Sequence, residues 1–166
     1  MNRVTAVPRP PSRPPDAHKG DAGRVLVVAG SRGMAGAAAL VGNAALKSGA
    51  GLVKIATPDP ALDTVAALAP CCTTAAMPDA GGRLLGKAAA MILKLAAGHD
   101  AMAMGPGLGQ SPSVAAVVRT VLARSAIPVV LDADGLNVIA PVARAALGRA
   151  SAPVIITPHP GEAHAT

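Results

Sequence analysis

Short, uninterrupted apolar runs alternate along this chain with longer helix-forming stretches, and this alternation constrains the fold more than any other feature. The runs that predict strands cover residues 25–29, 52–56, 101–104, 128–131 and 154–156, with a weaker candidate at 72–77. A run that is apolar at every position suits a strand covered on both faces, as in a parallel sheet. Strand and helix in alternation predict βαβ units, so we expect an α/β fold with a mainly parallel sheet and helices on both faces.

The stretches between these runs predict the helices. They cover residues 35–47, 60–69, 83–97, 111–124, 134–139 and 141–148. Gly49 and Gly98 each follow a helical stretch and suit a helix end. Ser111 and Pro112 suit a helix start, because serine can cap the first turn and proline fits the first helical position.

The N-terminal segment differs in composition from the rest of the chain. Five prolines fall within residues 1–17, which predicts an extended tail. The remaining residues, 18–166, are of a length that suits one domain.

Composition excludes several classes of function. The net charge is +6, but part of it lies in the basic tail, and the chain has no Phe, Tyr or Trp on which bases could stack. We therefore expect no nucleic-acid partner. No apolar stretch reaches the roughly 18–20 residues that a membrane span needs, and the tail lacks the apolar core of a secretory signal. We expect no membrane partner and a cytoplasmic location.

The distinctive residues follow the predicted strands, whose carboxyl ends meet at one edge of a parallel sheet. Gly30–Ala37 and Gly105–Gly109 are glycine-rich, and such loops let the backbone approach a phosphate or a sugar closely. Tight turns without a ligand are the alternative interpretation of both loops.

Polar side chains follow two further strands, at residues 128–131 and 154–156. Asp132 and Asp134 could bind Mg²⁺ or accept a substrate hydroxyl, although Asp134 could instead cap the next helix. His159 is held between two prolines and could donate to a phosphate or transfer a proton. Glu162 is a candidate for a water-mediated Mg²⁺ contact.

Taken in order, these stretches resemble the ADP-dependent NAD(P)H-hydrate dehydratase family from about residue 18 onward. The resemblance implies that residues 18–166 form a partial dehydratase domain, truncated at its C-terminal side. The stretches that carry the resemblance are residues 18–21, 30–37, 44–53, 105–109, 131–137 and 157–162. The resemblance implies a ribokinase-like (Rossmann-like) fold. It also implies metabolite repair by a carbon–oxygen lyase that acts on hydrated NADH and NADPH (NADHX and NADPHX). Such enzymes use ADP or ATP with Mg²⁺ to phosphorylate the added hydroxyl and then eliminate phosphate.

The resemblance also implies roles for individual residues. Ala37, Gly107 and His159 would contact the hydrated dinucleotide. Asp134 and Asn137 would line the same cleft, and Glu162 would help to hold the metal.

The chain departs from the family pattern in two ways. Gly135 stands where the family usually has alanine, a change that we expect to have little effect on a short helix. The family's later Lys-Gly segment and Gly-x-Gly-Asp motif are absent from the 166 residues, so the catalytic base is expected beyond Thr166. Loss of a base costs about 10²–10⁴-fold in rate, and the isolated chain is expected to be inactive. The sequence leaves open a homo-oligomer or a complementing C-terminal chain.

Two other functions remain open at this point. One is a small-molecule kinase of the same fold that acts on a vitamin precursor. The other is a non-catalytic dinucleotide-binding or interaction module that dimerises through the open edge of its sheet.

Overall fold

The computed structural model describes Ser12, Pro14 and residues 16–160, in which most strands are followed by a helix, as predicted. In chain order the elements are β1 (Arg24–Val28), α1 (Ala35–Lys47), β2 (Leu52–Pro58), α2 (Leu62–Leu68), β3 (Thr73–Met77), β4 (Asp79–Ala80), β5 (Arg83–Leu84), α3 (Ala88–Ala96), β6 (Ala101–Met104), α4 (Pro112–Arg124), β7 (Val129–Leu131), α5 (Asp134–Asn137), α6 (Ala143–Gly148) and β8 (Val154–Ile156). Six of these strands form one sheet in the order β3-β2-β1-β6-β7-β8, and all of its pairings are parallel. The prediction of a parallel α/β fold is confirmed.

The sheet is covered on both faces, and β1 shows how. Leu26 and Val28 pack into a core with residues of α3 and α4, whereas Val27 packs into a second core with residues of α1 and α2. All three side chains have no exposed surface. Because successive side chains of a strand point to opposite faces, an uninterrupted apolar run is what a strand between two helical layers requires.

The helix predicted at residues 83–97 is wrong in its first part. The chain there forms a hairpin of β4 and β5, and α3 begins only at Ala88. Gly81 and Gly82 have φ values of 60° and 82°, which suit a two-residue hairpin turn. The Asp79 carboxylate accepts a hydrogen bond of 2.9 Å from the Gly82 N–H. Leu84 is buried, so its apolar character reflects the anchoring of a hairpin and not a helical face.

Other boundaries differ by less. The predicted helix at 60–69 is a 3₁₀ turn at Asp59–Ala61 followed by α2, and residues 141–148 likewise divide into a 3₁₀ turn at Ala140–Val142 and α6. The start of α4 is confirmed, since the Ser111 hydroxyl accepts a hydrogen bond of 3.2 Å from the Val114 N–H.

The last two expectations concern the N-terminal tail and a membrane-spanning helix. The tail predicted at residues 1–17 lies almost wholly outside the described residues. Among the residues that the structure does describe, no helix is both long and apolar enough to cross a membrane.

Candidate functional site

The two glycine loops meet where the strand order reverses. Strand β1 pairs with β2 on one side and with β6 on the other, so the loops that follow β1 and β6 lie side by side at the carboxyl edge of the sheet. The Gly30 N–H donates to the Pro106 carbonyl at 2.9 Å, and the Gly105 N–H donates to the Val28 carbonyl at 3.1 Å. Open parallel sheets bind ligands in the crevice at such a switch point.

Gly107 brings the second loop into contact with the start of α1. Its φ is 68°, and a Cβ added to it would lie 2.9 Å from the Ala37 Cβ and 3.1 Å from the Met34 carbonyl oxygen. A side chain at position 107 would therefore be strained and also crowded. The structure thus places Ala37 and Gly107, two of the predicted substrate contacts, against each other.

Gly105 brings the same loop against the turn that follows β7. Its φ is 133°, and an added Cβ would collide with the Asp132 carbonyl oxygen and would lie 2.9 Å from the Gly135 nitrogen. Gly135 is equally tight, because a Cβ there would lie 2.7 Å from the Leu131 Cδ1 and 3.0 Å from the Gly105 Cα. This close approach gives Gly135 a packing role that the resemblance to the family did not indicate.

Asp134 joins the β7 turn to the glycine loop and does not cap a helix. Its carboxylate accepts hydrogen bonds from the Gly109 N–H at 2.9 Å and from the Gln110 Nε2 at 3.4 Å. Helix α5 begins at Asp134 itself, and no side chain caps it. The capping alternative is therefore wrong, since this carboxylate is directed at a loop 25 positions earlier in the chain.

Ala133 is a feature of this turn that sequence reasoning missed. It has φ 49° and ψ −126°, and it is the one non-glycine residue with a positive φ in the described part of the chain. Such a conformation costs on the order of 1–3 kcal/mol and often occurs at ligand sites. Because alanine rarely has a positive φ, the sequence gives no indication of this conformation.

Two further predicted residues, Asn137 and His159, lie at the same edge of the sheet. Asn137 is half-buried at the end of α5. His159 is exposed and follows β8, where the Thr157 N–H donates to the Leu131 carbonyl and extends the pairing with β7. Glu162, the predicted metal ligand, lies outside the described residues.

Two buried hydroxyls also border the first glycine loop. Ser31 is 1% exposed and Thr57 is fully buried, and neither side-chain oxygen has a hydrogen-bond partner among the described residues. The Thr57 Oγ1 lies 2.9 Å from the point that a Cβ on Gly30 would occupy. Buried polar groups of this kind are rare in proteins, and sequence reasoning did not single them out as site residues.

The described residues offer oxygen donors but no preformed metal cage. No group of three His, Cys, Asp or Glu side chains within residues 16–160 is placed to hold a metal ion. Asp132 is half-buried at the end of β7, and its carboxylate is a donor of the type that Mg²⁺ takes. The Asp134 carboxylate is already engaged by two hydrogen-bond donors.

One cavity and one shifted pKa in the described residues lie away from these loops. A cavity of about 460 Å³ lies between α4 and α6, and no residue of the two glycine loops or of the β7 turn lines it. Burial raises the pKa of the Cys72 thiol, and the neighbouring Cys71 adds to the rise. Cys72 precedes β3 at the amino edge of the sheet, opposite the glycine loops.

Comparison with known proteins finds one family across most of the chain. The profile of a family described as NAD(P)H-hydrate dehydratase matches residues 25–165. A bifunctional NAD(P)H-hydrate repair enzyme of Moorella thermoacetica is 40% identical over 153 residues, which are 92% of this chain and 29% of that protein. The ADP-dependent (S)-NAD(P)H-hydrate dehydratase of Bacillus subtilis is 36% identical over 152 residues, which are 92% of this chain and 50% of that enzyme.

Solved structures show the same fold. A Bacillus subtilis ADP/ATP-dependent NAD(P)H-hydrate dehydratase, co-crystallised with ATP and Mg²⁺, superimposes with a TM-score of 0.65 at 34% identity and covers 92% of this chain and 50% of its own. A ribokinase-like superfamily protein of Enterococcus faecalis superimposes with a TM-score of 0.73 at 23% identity, over 93% of this chain and 51% of its own. The fold is therefore ribokinase-like, as the resemblance implied. The chain spans between about a third and a half of the length of these relatives.

Proposed function

Because this chain belongs to the NAD(P)H-hydrate dehydratase family, we propose that its loops form the hydrated-dinucleotide side of a site that repairs NADHX and NADPHX. The reaction is the ADP- or ATP-dependent lyase reaction, in which phosphorylation of the added hydroxyl precedes elimination of phosphate. The observation that carries the proposal is the contact of Gly107 with Ala37 at the switch point of the sheet. Open parallel sheets bind dinucleotides in the crevice at such a switch point, where glycine lets the backbone approach the ligand closely.

The described residues serve to bind and to orient the substrate. Helix α1 begins at Ala35 without a side-chain cap, so the N–H groups of Ala35 and Gly36 are available to an acceptor beside Gly107, whereas the Ala37 N–H donates to the Met34 carbonyl at 3.2 Å. Asp134 holds the Gly105–Gly109 loop against the β7 turn and thereby fixes the position of Gly107. Asn137 and His159 lie at the same edge, where an amide and an imidazole can donate to substrate oxygens.

ADP or ATP supplies the phosphoryl group in the proposed reaction, and Mg²⁺ neutralises charge on the phosphates. The Bacillus subtilis dehydratase was co-crystallised with ATP and Mg²⁺, which supports the same cofactors here. The Asp132 carboxylate is the kind of oxygen ligand that Mg²⁺ takes, and Glu162 is the second proposed Mg²⁺ ligand. No catalytic base is assigned to a described residue.

The proposal extends to partners and location. Within the described residues β8 forms one edge of the sheet, and Ile155 is 62% exposed there. A second copy of this chain or a complementing C-terminal chain is proposed to pair along this edge. We also propose a cytoplasmic location and no nucleic-acid or membrane partner, which a repair reaction on small pyridine nucleotides favours.

The proposal is tested by binding of NADHX to the 166-residue chain, measured by calorimetry, with His159→Ala as the site variant. We expect His159→Ala to weaken binding about fivefold to tenfold, the effect of losing one good hydrogen bond. His18→Ala is the matched control, because His18 is also exposed but lies in the segment that precedes β1. Recovery of NADH is followed in parallel after addition of ADP and Mg²⁺.

Three results would count against the proposal. Absence of saturable NADHX binding by the unaltered chain would contradict the dinucleotide side of the site. Equal binding by His159→Ala and His18→Ala would remove His159 from it. ATP-dependent phosphorylation of a vitamin precursor, without any effect on NADHX, would favour the kinase alternative.

A further inference from the structure

The β4–β5 hairpin rests on the first glycine loop. The Arg32 N–H donates to the Gly82 carbonyl at 3.0 Å, and a Cβ added to Gly82 would collide with the Arg32 side chain. Asp79 closes the hairpin turn, and Leu84 anchors it in the core with 1% of its surface exposed. The hairpin is therefore held against the first glycine loop by a backbone hydrogen bond and is anchored in the core by Leu84.

Arg83 extends from this hairpin to the second glycine loop. A Cβ added to Gly109 would lie 2.8 Å from the Arg83 Nε and 3.3 Å from its Cδ. Gly109 is buried and is held by Asp134 through its N–H. The Arg83 side chain thus lies across the loop that carries Gly107, while the residue as a whole remains exposed.

The charges of Arg32 and Arg83 are not neutralised by the part of the chain that the structure describes. Neither residue takes part in an ion pair there, and the one pair found joins His18 to Asp21. The nearby carboxylates already accept hydrogen bonds, Asp79 from Gly82 and Asp134 from Gly109 and Gln110. An exposed arginine is ordinarily solvated, but these two adjoin the glycine loops of one crevice.

We propose that Arg32 and Arg83 bind phosphate groups of the dinucleotide that enters the crevice. The planar guanidinium can donate two parallel hydrogen bonds to phosphate oxygens, and neither residue has a competing acid. The phosphates are either the pyrophosphate bridge, which every such dinucleotide carries, or the 2′-phosphate found in the NADPH form. This inference rests on the proposed function, because it assumes that the crevice receives a dinucleotide.

The test uses NADH and NADPH as probes, since hydration alters the nicotinamide ring and leaves the phosphates unchanged. Binding is followed by the fluorescence anisotropy of the reduced cofactor. The variants are Arg32→Gln and Arg83→Gln. Arg119→Gln is the matched control, because Arg119 is an exposed arginine of α4 that lines the cavity between α4 and α6.

We expect each site variant to bind about ten- to hundredfold more weakly than the Arg119→Gln control, as loss of one charge-assisted contact predicts. Equal losses for both cofactors assign the contact to the pyrophosphate, and a loss confined to NADPH assigns it to the 2′-phosphate. Arg83→Lys retains the charge and should recover part of the affinity. Thermal unfolding of each variant shows whether the fold is intact.

Two results would overturn this inference, and they differ in their consequence for the proposed function. If Arg32→Gln and Arg83→Gln bind like the Arg119→Gln control, the arginines do not contact phosphate, whereas the proposed function survives. If the unaltered chain binds neither cofactor and does not bind NADHX, both the inference and the dinucleotide site fail.

Discussion

At the scale of single residues, Gly105 governs how closely the two sides of the crevice approach. The carbonyl of Asp132 occupies the space that a side chain at position 105 would need, and the φ of 133° is unfavourable for any residue with a Cβ. The glycine motif at 105–109 was visible in the sequence. Its partner in the β7 turn was not, because a contact between backbones leaves no residue-type signal.

Gly105→Ala is expected to lower the free energy of unfolding by about 2–4 kcal/mol, because it adds a steric collision to an unfavourable φ. Chemical denaturation measures the change. Gly36→Ala is the matched control, since a Cβ at Gly36 meets no atom within 4 Å and Gly36 has no positive φ. The control should be neutral or stabilising by less than about 1 kcal/mol. Equal stabilities for the two variants would show that the collision does not occur.

At the scale of elements, the start of α4 and the β4–β5 hairpin illustrate opposite outcomes of sequence reasoning. The Ser111-Pro112 pair is a local signal, and the structure confirms the capping hydrogen bond to Val114. The hairpin was predicted as part of a helix, because Leu84 and Leu85 extend the apolar pattern of α3 towards the N-terminus. In the structure Gly81 and Gly82 form a turn with positive φ values, and burial of Leu84 in the core stabilises the hairpin instead of a longer helix.

Ser111→Ala is expected to destabilise the chain by about 1 kcal/mol through loss of the cap. Ser113→Ala makes the same chemical change within the first turn of α4, where Ser113 is not the capping residue. That control should be neutral or slightly stabilising because of the higher helix propensity of alanine. Thermal unfolding compares the two, and a loss of similar size in both would contradict a capping role for Ser111.

At the scale of the whole molecule, β8 leaves one end of the sheet unpaired among the described residues. Ile155 and Ile156 are 62% and 38% exposed on this strand. An edge strand with apolar side chains and unpaired backbone groups is a template for pairing with another chain. The edge lies next to β7, whose turn carries Asp132 and Asp134, so a chain added there would extend the sheet beside the candidate site.

We expect the chain to self-associate with increasing concentration and Ile155→Lys to reduce this association, because a lysine on an edge strand opposes pairing. Sedimentation velocity over a concentration series measures the effect. Leu40→Lys is the matched control, since Leu40 of α1 is 73% exposed and lies away from β8. Association that persists in Ile155→Lys, or that is lost equally in Leu40→Lys, would locate the contact elsewhere.

The sequence by itself determined the parallel α/β architecture, the places along the chain of the six strands of its sheet, and the glycine and aspartate loops at the carboxyl edge. These follow from local periodicity and from turn chemistry, which depend on neighbouring residues. Only the tertiary structure decided that Asp134 binds the Gly109 N–H and that Arg83 lies across the same loop. Both contacts join segments about 25 residues apart, and such pairings depend on how the helices and strands pack rather than on any local pattern.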